Sequence, residues 1–192
     1  TPSKYKISNL TKTTKKLTNS ITLDSALEKF VGNSNENIAV NGGRTLGLVQ
    51  LKDAAKRLKK YDETRDTMSE DTSMLSAYIK YGCVSIREVL YEFYKKYGKL
   101  NEFIRQLIWR DFYMHILDAY PDSLGKFHGN AYKNFSWSSN NSYLNAWKNG
   151  KTGFPLVDAG MRQMNETGYM HNRCRMIVAT FLSKILMVDW RE

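Results

Sequence analysis

Only two cysteines, Cys83 and Cys174, occur among the 192 residues. A disulfide framework needs more, so the pair points to a reducing compartment, cytoplasmic or nuclear, and against a secreted scaffold. The two thiols and the three histidines, His115, His128 and His171, show no spacing that holds a metal. They are read as surface or packing residues, and no metal is expected. No apolar run approaches the roughly 18–20 residues that cross a bilayer, so no membrane partner is expected. Residues 1–6 have no apolar core of a signal peptide, and no initiator methionine precedes them. The sequence therefore reads as a piece of a longer product. Paired strands of alternating period and internal repeats are missing as well.

What is abundant is positive charge and aromatic side chains. The net charge is +10, with 29 Lys and Arg against 19 Asp and Glu. Such an excess favours a polyanionic partner through neutralisation of phosphates and release of their counterions. A solvated surface that keeps the chain soluble is the plainer alternative.

Residues 1–41 read as a linker or interdomain segment, with a polar basic stretch at 12–20, a short amphipathic helix near 24–31 and a loop at 32–37. From Gly43 the hydrophobic period is helical. Leu46, Val49 or Gln50, Ala54 and Leu58 suggest one face of a helix reaching Tyr61. A second helix is expected over 72–81, stopped by Gly82. Ser85 and Glu88 form a capping box for a third, which Gly98 ends. Asn101 caps a long fourth helix whose Ile104, Ile108, Phe112 and Ile116 recur every four residues, with Pro121 beyond its end. An aromatic loop at 122–137 follows, then a short helix at 142–149. A further helix starts at Pro155 and finishes at Gly168, and a last one spans 170–188. The fold class is all-α, a cluster of helices with short connections.

Three segments carry more polar and aromatic groups than packing demands. In residues 71–76, Thr72, Ser73 and Ser76 supply hydroxyls at a helix start, where an anion is favoured; ordinary capping explains them too. In residues 105–113, Trp109 can stack on a base and Arg110 can pair with a phosphate, or the two are a core tryptophan and a surface ion pair. In residues 150–176, Gly150, Lys151 and Thr152 look like part of a P-loop, but the earlier glycine and the preceding strand are missing. Further along, Asn172, Arg173 and Met176 share a helical face suited to lining a pocket, or simply a helix surface.

Residues 147–191, the helix 106–113, and the run Thr72-Ser73-Met74-Leu75-Ser76 followed by residues 82–87 together resemble photolyases and cryptochromes. The resemblance covers about 42–192, read as part of that family's FAD-binding helical domain. It implies a U-shaped FAD bound by Tyr61, Thr72, Ser73, Leu75, Ser76, Arg110 and Asn172, the last hydrogen-bonding N5 of the flavin. It implies lesion and DNA contacts by Gln106, Trp109, Arg173 and Met176. It makes Trp137 and Trp190 the outer and middle members of a tryptophan chain that photoreduces FAD. The reaction implied is that of a carbon–carbon lyase. Excited reduced FAD gives one electron to a cyclobutane pyrimidine dimer in UV-damaged DNA, the ring opens, and the electron returns.

The family's N-terminal α/β antenna domain, its innermost tryptophan and the C-terminal aspartates that meet the flavin are not among these residues. Those N- and C-terminal parts are expected as separate chains, or as removed or lost segments, and the antenna chromophore is left unassigned. Cyclobutane-dimer photolyases commonly carry a glutamate where Gln106 stands. Gln106 resembles the (6-4) class instead, but that class has a histidine where this sequence has Asn172-Arg173 after His171. The balance favours cyclobutane dimers. A cryptochrome-like blue-light receptor and an inactive remnant are the other readings.

Overall fold

The structure of the chain, a computed structural model, describes residues 21–30, 35–70, 72–99, 101–126 and 135–192. The stretch 12–20, Asp71 and His128 lie outside the described residues. The chain divides into two units, Thr1–Glu36 and Asn37–Glu192. The first contributes helix α1 (Leu23–Phe30), which buries no residue.

The regular structure of the second unit is helical, and among the described residues no strand forms beyond an isolated bridge between Ser138 and Val188. Helix α2 (Arg44–Arg57) is shorter than its sequence pattern suggests. It passes into a 3-10 turn at Leu58–Lys60 and a short helix α3 (Tyr61–Thr64). Its inner face is the expected one at Ala54 and Leu58 but departs from it nearer the start of the helix. Leu51, Ala54, Ala55 and Leu58 are buried, whereas Leu46 and Val49 are exposed. At the first turn Gly47, rather than Leu46, faces inward. It packs so closely under Tyr78 and Val84 that an added Cβ would lie 2.6 Å from Val84 Cγ2.

The helix expected over 72–81 begins only at Ser76, as the short α4 (Ser76–Lys80). Met74 has a φ of 53°, a left-handed conformation that no helix accommodates. Residues 72–75 form instead an irregular strap. Gln50 Nε2 donates to the Ser73 carbonyl at 3.0 Å, and the Thr72 and Tyr169 hydroxyls lie 2.7 Å apart. Neither Thr72 nor Ser73 caps a helix.

Local punctuation predicts the next elements well. Helix α5 (Ile86–Tyr97) opens with the full capping box: Ser85 Oγ accepts from the Arg87 amide, and Glu88 accepts from the Ser85 amide at 2.9 Å. Asn101 Oδ1 accepts from the Phe103 amide at 2.9 Å and starts α6 (Glu102–Ala119). On α6 the buried stripe is Phe103, Ile104 and Leu107, while Ile108, Phe112 and Ile116 are exposed. The four-residue period there marks an apolar face that the described residues leave uncovered. Phe103 stacks on Phe93 with centroids 4.0 Å apart, at the centre of the core formed by α2, α4, α5 and α6. Truncating either ring to alanine should cost about 3–5 kcal/mol.

A second core lies under α7 (Asn141–Lys148), α8 (Pro155–Thr167) and α9 (Asn172–Thr180). Pro155 opens α8, and Gly168 closes it in the left-handed conformation. The last helix starts at Asn172, because His171 takes the extended backbone of a cap. After Thr180 it widens into a π-helical turn, Phe181–Ile185, so it does not run to 188. Trp147 Nε1 donates to the Val178 carbonyl at 3.1 Å, fixing α7 on α9. Among the described residues no helix is long and apolar enough to cross a membrane, and no cluster of His, Cys, Asp or Glu could hold a metal.

Candidate functional site

Helices α3, α4 and α6, the strap 72–75 and the start of α9 surround two adjoining hollows of about 670 and 350 Å³, which share Tyr61, Ser73, Ser76, Gln106, Asn172 and Arg175. Each wall has a local cause. Tyr61 sits at the start of α3 and packs edge-on against Phe103, with centroids 5.2 Å apart. Its burial pushes the phenol pKa up, so it remains a neutral donor. The strap presents Ser73, whose hydroxyl accepts the Leu75 amide at 3.3 Å. Gln106 and Arg110, one turn apart on α6, form the opposite side.

The beginning of α9 closes the site. His171 Nδ1 accepts from the Arg173 amide at 3.1 Å, so the neutral ring carries its proton on Nε2. Burial, reinforced by the charges of Arg173 and Arg175, holds this imidazole below the usual histidine range. Asn172 Nδ2 lies 3.8 Å from Met176 Sδ, one turn on. The neighbouring Arg173 turns to an ion pair with Asp66, whose carboxyl that hydrogen bond holds below its ordinary range.

The larger hollow is lined by Lys80, Arg110 and Arg175 and, among the described residues, by no carboxylate. Such a lining attracts an anion such as a diphosphate. The hydroxyls of Ser73 and Ser76 and the carboxamides of Gln106 and Asn172 add neutral hydrogen-bonding groups. The site thus suits a ligand with an anionic part and a polar heterocycle.

Seven residues expected around a cofactor, Tyr61, Thr72, Ser73, Leu75, Ser76, Arg110 and Asn172, all line one or both hollows. Of those expected to meet DNA, Gln106, Arg173 and Met176 do so too. Trp109 lines neither. It is half exposed and stacks on Tyr113 with centroids 6.0 Å apart. Trp137 and Trp190 line neither hollow; beside Trp137 in sequence, the Ser138 amide donates to the Met187 carbonyl at 2.6 Å. Trp137 packs edge-on against Phe135, and Trp190 is about half exposed.

The loop at 150–153 is no phosphate cradle. Asp158 accepts from the Thr152 amide at 2.7 Å, the Thr152 hydroxyl at 2.6 Å and the Gly153 amide at 2.9 Å. A carboxylate of the chain's own fills the place an anion would take. Sequence reading missed Arg175, Glu102 and Asp66. Arg175 carries a signal, standing three residues after Asn172. Asp66 carries none, because its partner Arg173 is remote in sequence.

Residues 103–192 match the family described as the FAD binding domain of DNA photolyase. The chain is 44% identical over 140 residues to a deoxyribodipyrimidine photo-lyase of Alkalihalophilus pseudofirmus, covering 71% of this chain and 29% of that protein. It is 39% identical over 166 residues to a cryptochrome DASH of Synechocystis, covering 80% of this chain and 34% of that one. The crystal structure of an archaeal photolyase from Sulfolobus tokodaii, with two FAD molecules, matches with a TM-score of 0.75 at 40% identity. That match covers 87% of this chain and 37% of the other. The chain spans about a third of the length of the relatives it matches.

Proposed function

Because the chain belongs to the photolyase and cryptochrome family, we propose that its paired hollows hold FAD beside a damaged pyrimidine pair and serve light-driven repair of DNA. One observation carries this reading. The strap 72–75, α6 and the start of α9 converge on a cation-lined hollow that holds Gln106, Arg110 and Asn172 together.

The residues present fit the cofactor. Lys80, Arg110 and Arg175 balance the two negative charges of a diphosphate. Tyr61, Thr72, Ser73 and Ser76 offer hydroxyls to a polyol chain, Leu75 an apolar wall, and Asn172 a carboxamide to a flavin ring. When bound and reduced, FAD supplies the light-excited electron that opens a cyclobutane dimer to two pyrimidines and then returns. The protein orients its ligands and excludes water around them. Gln106 and Met176 face the lesion, Arg173 meets a backbone phosphate, and Trp109 stacks on a neighbouring base. Trp137 and Trp190, on segments joined through Ser138, pass an electron inward from the surface.

The test is the flavin content of the purified chain, followed by illumination of irradiated DNA. Flavin near one per chain with light-dependent loss of dimers supports repair. Flavin without loss of dimers favours a cryptochrome-type role, which the similarity to a cryptochrome DASH supports. A chain that cannot bind FAD overturns the reading of the hollows.

A further inference from the structure

Gln106 lines both hollows, and its orientation is imposed by a neighbour outside them. Its Nε2 donates to Glu102 Oε1 at 2.7 Å, one turn back on α6. Glu102 is itself held. Arg65 Nη1 pairs with the same oxygen, and Arg105 Nε lies 2.8 Å from Oε2. A carboxylate only accepts hydrogen bonds, so the amide nitrogen must face it and the amide oxygen must face away. Rotating the carboxamide by half a turn would set two acceptors against each other. Among the described residues no group donates to Gln106 Oε1, and that oxygen is not sealed from solvent.

We propose that Glu102 is a positioning residue that fixes Gln106 as a hydrogen-bond acceptor for a cyclic imide N–H, the donor common to pyrimidine and flavin rings. The proposal rests on the reading of the hollows given above. An unrestrained glutamine offers a donor or an acceptor with equal ease. One clamped by Glu102 presents its oxygen, as a glutamate would, without adding a negative charge to a hollow lined by cations.

The experiment compares methylated and unmethylated imides on the full chain. One pair of probes is FAD and FAD methylated at flavin N3. The other is a short oligonucleotide carrying a thymine dimer and the same oligonucleotide with the dimer methylated at N3. Methylation should weaken binding of one pair about tenfold, the loss of one hydrogen bond. Which pair responds identifies the ring that donates. In Glu102→Ala the penalty should fall about twofold, because a freed carboxamide presents its oxygen about half the time, and adding Gln106→Glu to that variant should restore it. A steric penalty from the methyl group would persist in full in Glu102→Ala, and that result overturns the proposal. So does equal binding of both forms by the unaltered chain, a measurement that needs no variant to fold. A chain that neither binds FAD nor prefers dimer-bearing DNA fails earlier, at the reading of the hollows, and takes this proposal with it.

Discussion

Asp66 holds the guanidinium of Arg173 beside the smaller hollow, so the arginine proposed to meet a DNA phosphate already has an anionic partner. On that proposal, DNA at Arg173 would displace that carboxylate or include it. Replacing Asp66 with asparagine should tighten DNA binding about threefold at low salt, the scale of one exposed ion pair. The slope of log affinity against log salt should steepen by about one. Thermal unfolding should barely move, because the pair is exposed. Unchanged affinity and slope would mean that Arg173 does not reach the nucleic acid.

Trp109 stands outside both hollows and is half exposed, so its removal tests the base-stacking role apart from the fold. Trp109→Ala should melt close to the unaltered chain and lose about 1–3 kcal/mol of affinity for damaged DNA. Retention of FAD should be unaffected. A large drop in melting temperature would instead assign Trp109 a packing role through Phe112 and Tyr113.

Gly47 lets α2 sit against Tyr78 and Val84, and a Cβ there would approach Tyr78 Cδ1 to 2.9 Å. Gly47→Ala should destabilise the chain by about 1–3 kcal/mol despite the better helix propensity of alanine. Urea unfolding followed by circular dichroism measures this. Because the strap is fastened to α2 through Gln50, the variant should also bind FAD more weakly.

Glu88 gives the fold an acid-sensitive joint. Arg44 donates to both its oxygens, at 2.6 and 2.8 Å, and this, with the Ser85 amide, lowers its pKa to about 2. The free carboxyl titrates near 4.3. Its stabilising contribution is therefore complete above about pH 5 and fades as the pH falls toward 2. Unfolding of Glu88→Gln should differ most from that of the unaltered chain near neutrality, and the two curves should converge in acid. Parallel curves over that range would show that the pair contributes little.

The elements most legible in sequence were those whose causes are local. Ser85 with Glu88, Asn101, Pro155 and Gly168 each mark a helix end through bonds spanning only a few residues. Faces were harder to read. The period of Ile108, Phe112 and Ile116 shows that an apolar stripe exists, but not whether another segment covers it. On α2 the pattern placed Ala54 and Leu58 inward, but the first turn buries a glycine, which adds nothing to a hydrophobic pattern. The strap at 72–75 was hidden because its conformation rests on Gln50 and Tyr169, partners that only tertiary structure supplies. The same holds at the site. Asn172 and Gln106 stood out by resemblance and spacing, whereas Asp66 and Glu102, which aim their neighbours, carry no signature of their own.

The two hydrophobic cores are tied across their border by polar links: the Ala39 amide on the Thr167 carbonyl at 2.9 Å, Thr72 with Tyr169, and Asp66 with Arg173. Hydrogen bonds and an exposed ion pair make a soft joint between two stiff blocks. A molecule lodged in the hollows touches both blocks at once and becomes mortar between them. The empty chain should then melt as two loosely coupled cooperative units, and the loaded chain as one, with the gain set by ligand concentration relative to its dissociation constant. Cofactor capture would in this way also be the last step of assembling the fold.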